Sequence, residues 1–133
     1  GAVGSAKNAN TISEIITGDL NFLIQNLTKN GINTSTEITG DSNQLTSELN
    51  SATASVTTTV TGNSNSLINK QDDGGSGHIL VQSVIGDYNS IVTQQQGTND
   101  STINIATTGN NNTITVRSTN ASAIVNEMTA VAR

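Results

Sequence analysis

Ile38-Thr39-Gly40-Asp41-Ser42-Asn43-Gln44-Leu45 decides the fold, because its pattern returns along the chain. The central tetrad recurs as Gly18-Asp19-Leu20-Asn21, Gly62-Asn63-Ser64-Asn65, Gly86-Asp87-Tyr88-Asn89 and Gly109-Asn110-Asn111-Asn112. Successive tetrad glycines lie about 22 to 24 positions apart, and a fixed period of this size is the mark of a solenoid. Gly accepts positive φ, and Asn or Asp bond their own backbone, so each tetrad is a turn. The fourth-place Asn is constant, and stacked rung on rung Asn21, Asn43, Asn65, Asn89 and Asn112 form an amide ladder.

Outward from the tetrad, apolar residues fall in columns. Two before each glycine lie Ile16, Ile38, Val60, Val84 and Thr107; five after it lie Leu23, Leu45, Leu67, Ile91 and Ile114. Six before lie Ile12, Thr34, Val56, Leu80 and Ile103, and nine after lie Leu27, Leu49, Gln71, Gln95 and Ser118. These columns are two or four apart, which is strand alternation with one face inward. Between them run Glu14, Thr36, Thr58, Gln82, Ile105 on one side and Gln25, Ser47, Asn69, Thr93, Val116 on the other. The interior is therefore expected to interleave aliphatic with amide and hydroxyl layers. A hairpin meander gives no reason for columns to match once per period, whereas strands paired with their counterpart one period later do.

The expected fold is all-β: a single amyloid-like β-solenoid of about five rungs, each a strand–turn–strand unit of about 22 residues, with parallel ladders. Residues 1–10 read as a flexible lead, 11–118 as the repeats, and 119–133 as a C-terminal strand and junction segment. The inward aliphatic set is Ile16, Ile38, Val60, Val84, Leu23, Leu45, Leu67, Ile91 and Ile114. The turn glycines are Gly18, Gly40, Gly62, Gly86 and Gly109. Ile12 and Glu14 at one end, and Ile124 and Val125 at the other, are the expected polymer junction. An inward Glu14 calls for a cation or hydrogen-bond donors, with Lys7, Arg117 and Arg133 as candidate cations.

Composition agrees. The 133 residues are 32% hydrophobic and 2% aromatic, poor for a globular core, yet only 11% are charged and none is Pro. Disorder ordinarily comes with many charges and Pro; Thr, Ile and Val favour strands instead. A net charge of −5 without a basic cluster argues against nucleic acid. No apolar run reaches spanning length, so no membrane insertion is expected. Without Cys there is neither disulfide nor thiolate chemistry.

The spacing resembles the curlin repeat of curli-type functional amyloid. The glycine and the Asn three after it match in all five units, and the later Gln matches at Gln71 and Gln95. The family's earlier Gln column is here Ile16, Ile38, Val60, Val84, Thr107, and Leu or Ile replaces a small residue five after the glycine. The resemblance spans residues 12–118. It implies a secreted, extracellular subunit of a biofilm matrix that polymerises with itself head to tail, with a nucleator or secretion machinery as further partners. The residues alone point the same way, since an uncapped solenoid exposes edge strands that recruit other chains.

Other chemistries are weaker. His78, the single histidine, lies near Asp73 and Ser76 in a Gly-rich loop, and reads as a solvated loop histidine rather than a positioned catalytic base. Asp19, Asp41 and Asp87 suggest calcium, but the long period is not that of calcium-binding nonapeptide repeats. No catalytic, cofactor-binding or metal-ligating residue is expected. Two further readings stand beside the fibre: an ice-binding solenoid, on the column Thr17, Thr39, Thr61, Ile85, Thr108, and a fragment of a β-helical adhesin or phage fibre, with a binding loop at 72–77.

Overall fold

The computed structural model describes residues 2–3, 10–72, 77–97, 100–119 and 127–130. The chain alternates strand and turn: β1 (Ala2–Val3), β2 (Thr11–Thr17), β3 (Phe22–Leu27), β4 (Asn33–Thr39), β5 (Gln44–Leu49), β6 (Ser55–Thr61), β7 (Ser66–Asp72), β8 (Ile79–Ile85), β9 (Ser90–Gln96), β10 (Thr102–Thr108), β11 (Thr113–Thr119) and β12 (Glu127–Ala130). Odd strands form one six-stranded sheet in the order β1-β3-β5-β7-β9-β11, and even strands form the other, β2 through β12. Every neighbouring pair is parallel and in register. The chain is a β-solenoid, and each of five rungs is one even strand, a tetrad corner and one odd strand.

The sequence columns become physical columns. Ile38 pairs with Ile16 and Val60, and Leu45 with Leu23 and Leu67. Side chains alternate between the slot separating the sheets and solvent, as a period of two requires. Ile38, Val60, Val84, Leu45, Leu67 and Ile91 are almost wholly buried, with Ile114 close behind. Ile16 is the correction: it is 43% exposed although it sits in the inward column, and Leu23 is only half-buried. Among the described residues β2 has a neighbour on one side only, and β1 reaches β3 only at Asn26 and Leu27, so parity turns these side chains inward without covering them.

The polar layers are bonded across the slot. Gln25 Nε2 donates to Glu14 Oε1 at 2.8 Å, and Gln82 Nε2 to Thr93 Oγ1 at 2.9 Å. Glu14 thus meets an amide donor of the opposite sheet in its own chain, as an inward carboxylate requires. Arg117 lies exposed on β11, at the far end, and Lys7 and Arg133 fall outside the described residues. Along the stack Gln71 Nε2 donates to Gln95 Oε1 at 2.7 Å. Gln95 Nε2 closes the second corner by donating to the Ser101 and Ile79 carbonyls at 2.8 and 2.9 Å.

Each end adds a short strand. Ala2–Val3, within the expected flexible lead, forms β1 and pairs with Asn26 and Leu27 of β3. At the other end the additional strand falls at Glu127–Ala130, paired with β10. Ile124 and Val125, expected to carry the junction, lie outside the described residues.

Candidate functional site

The tetrad corner is the most ordered polar feature. Its glycines have φ between 117° and 136°. A Cβ on Gly40 would overlap the carbonyl of Gly62, and one on Gly62 that of Gly86, so the glycine is required by both φ and contact. The third tetrad residue is also left-handed, at φ 56–59°, whether it is Leu20, Ser42, Ser64, Tyr88 or Asn111. That conformation is unfavourable for Leu and Tyr. The stacked backbone imposes it: Ser42 N donates to the Asp19 carbonyl and Ser64 N to that of Asp41, both at 2.9 Å.

The fourth-place Asn residues form a continuous amide column. Asn65 Nδ2 donates to Asn43 Oδ1 at 3.0 Å and to the Gly86 carbonyl at 2.8 Å. Its Oδ1 accepts from Asn89 N at 2.9 Å and Asn89 Nδ2 at 3.0 Å. Asn43 and Asn89 repeat the arrangement. An amide has two donor hydrogens and two acceptor lone pairs, so a column residue flanked on both sides is saturated. Asn21 donates forward to the Gly40 carbonyl at 2.7 Å and has no earlier Oδ1 to reach among the described residues. Asn112 donates back to Asn89 at 3.0 Å and has no later glycine carbonyl among the described residues.

A second column runs outside the first. Asp19, Asp41, Asn63 and Asp87 each donate their backbone N–H at 2.8 Å to Oδ1 of the residue one rung later, Asn110 being the last acceptor. The carboxylates of Asp41 and Asp87 thus serve as backbone acceptors. Among the described residues no group of three or more His, Asp or Glu converges to hold a metal.

The opposite corner corrects the reading of His78. The ring is fully buried, not solvated. Ser101 N donates to His78 Nδ1 at 3.2 Å, which leaves the proton of the neutral ring on Nε2. Ser101 Oγ lies 3.2 Å from the same atom. Burial pushes the imidazole below its ordinary 6.5, while the charge of Asp100 and a backbone hydrogen bond with Gly97 oppose the shift. Asp73 and Ser76, its neighbours in sequence, lie outside the described residues, so a three-residue arrangement with them is not seen. The one around Ser101 is sealed, since Ser101 is 2% exposed.

His78 belongs to a column that sequence reasoning missed, eight positions before each tetrad glycine: Asn10, Ile32, Ala54, His78 and Ser101. Asn10 Oδ1 accepts from Ile32 N at 2.9 Å as His78 Nδ1 accepts from Ser101 N, so side chains cap the next rung at both corners. The signal was available in the fixed offset. Its residue types vary too much to stand out.

The two ends are the remaining feature. Among the described residues the edge strands are β1 and β2 at one end and β11 and β12 at the other. Ile12 is partly buried against the core and Glu14 is exposed, both on the edge strand β2. The outer column Thr17, Thr39, Thr61, Ile85, Thr108 is exposed throughout, with Ile85 interrupting its hydroxyls. No helix among the described residues is long and apolar enough to cross a membrane. Comparison with protein-family models, curated proteins and solved structures finds no match.

Proposed function

We propose that this chain is a structural subunit that self-assembles head to tail into an extracellular fibre of the curli type. The observation that carries the reading is that, among the described residues, both parallel sheets present an unpaired edge strand at either end. An exposed edge strand pairs readily with another chain. Ile16 adds an apolar incentive, being 43% exposed while its column mates Ile38 and Val60 are at most 1% exposed. Joining unlike ends is a heterologous contact that does not close, so it propagates as a filament. Secretion and a role in a biofilm matrix rest on the curlin-like spacing of the repeats.

The test is sedimentation and electron microscopy of the purified chain, with X-ray diffraction from aligned filaments. The expected result is unbranched filaments with a meridional reflection at about 4.8 Å. A chain that stays monomeric for days at high concentration refutes the fibre.

A further inference from the structure

The two ends are staggered, and the stagger is complementary. At the N-terminal end the odd sheet extends one strand further, through β1; at the C-terminal end the even sheet does, through β12. A complete rung needs one strand of each sheet. Resting on the fibre reading, we infer that β12 of one copy and β1 of the next lie side by side on one level and form a composite rung shared by two chains. In the even sheet β12 then pairs with β2 of the next copy, and in the odd sheet β11 pairs with its β1.

The register follows from the ladders already present. Glu127 pairs with Asn104, whose column runs through Val81, Thr57, Ser35 and Ser13. Continuing that column across the junction sets Glu127 beside Ser13 of the next copy, and Thr129 beside its Ile15. Ala2 pairs with Asn26, whose column runs through Glu48, Lys70, Gln94 and Arg117. Across the junction Ala2 of the next copy therefore lies beside Arg117.

The composite rung differs measurably from direct stacking of the fifth rung on the first. Direct stacking would displace β1 and β12, set Arg117 beside Asn26 of the next copy, and advance each subunit by five strand spacings, about 24 Å. The composite rung gives each subunit six strands in each sheet, an advance of about 29 Å. It also separates Arg117 from that Asn26 by two spacings, about 9.6 Å, beyond the reach of a disulfide.

The chain has no Cys, so disulfides can be placed at will. Two double variants are polymerised and oxidised, Thr129→Cys with Ile15→Cys, and Arg117→Cys with Asn26→Cys. Ile15, Arg117 and Asn26 are exposed, so those changes leave the core intact. The composite rung predicts a covalent ladder on non-reducing gels from the first pair and none from the second. Cryo-electron microscopy of wild-type filaments should show the longer axial repeat, that of six strand spacings. Filaments with the shorter repeat of five spacings, or a ladder from the second pair alone, overturn the composite rung and leave the fibre standing. A wild type that forms no filaments overturns both.

Discussion

Replacing Asn65 by Leu tests the amide column where it is most enclosed. Asn65 is 1% exposed and makes four side-chain hydrogen bonds. Leu keeps the volume and removes all four. Two buried groups then lose the side-chain partner they had: Asn89 N–H, which had Asn65 Oδ1 at 2.9 Å, and the Gly86 carbonyl, which had Asn65 Nδ2 at 2.8 Å. Asn43 Oδ1 keeps the backbone N–H of residue 65, and Asn89 Nδ2 keeps the Gly109 carbonyl. An unsatisfied buried group costs about 1–3 kcal/mol, so the sum is about 2–6 kcal/mol. At the end of the column Asn112→Leu removes one side-chain donor, while Asn89 Oδ1 still accepts from the backbone of residue 112. Its expected effect is about 0.5–1.5 kcal/mol. The assay is urea unfolding of freshly prepared, dilute monomer, followed by far-ultraviolet circular dichroism. With a slope of about 2 kcal/mol/M, the midpoint should fall by about 1–3 M for Asn65→Leu and by well under about 1 M for Asn112→Leu. Equal shifts at the two positions would refute a ladder whose members depend on flanking rungs.

Other consequences follow from the same geometry. Gly62→Ala should abolish folding or lower stability by more than about 3 kcal/mol in the same titration, because φ is 136° and the Gly86 carbonyl occupies the Cβ site. His78 is neutral in the fold with a lowered pKa, so as pH falls the unfolded chain takes up the proton first. Stability should therefore be full above about pH 6.5 and decline as pH drops from there toward the lowered folded value; His78→Asn should flatten that part of the urea-midpoint profile. Asn69 is fully buried, with neither amide atom bonded to another described group, so Asn69→Leu should raise the urea midpoint, and a lowered midpoint would show that the amide is satisfied.

The rungs were legible in the sequence because their determinants are local or strictly repeated. Gly40 and Asn43 announce a turn by their own chemistry, and parallel in-register pairing turns a repeated offset into a column. Ile16, Leu23 and Glu14 mark where this reasoning stops: offset gives the direction of a side chain but not whether anything lies over it. β1 was not legible, being two residues long, and β12 was legible only as a strand within 119–133, with no tetrad to mark its level. The positive φ of Leu20 and Tyr88 ran against residue preference, and follows from hydrogen bonds to adjacent rungs. His78 looked like a loop residue because the residues before it are glycines and polar residues. Its neighbour in space, Ser101, is 23 positions later.

Every ladder among the described residues joins positions 22 to 24 apart. Adding a rung therefore adds contacts of unchanged sequence separation, and the mean separation relative to chain length falls as the array grows. All-β proteins ordinarily fold slowly because distant segments must meet before any contact stabilises them. Here each new strand closes a loop of the same modest length against a template already formed, so the entropy lost per step does not rise with length. The slow event is the first pair of rungs, and once it exists a longer array folds by a succession of short, equivalent steps.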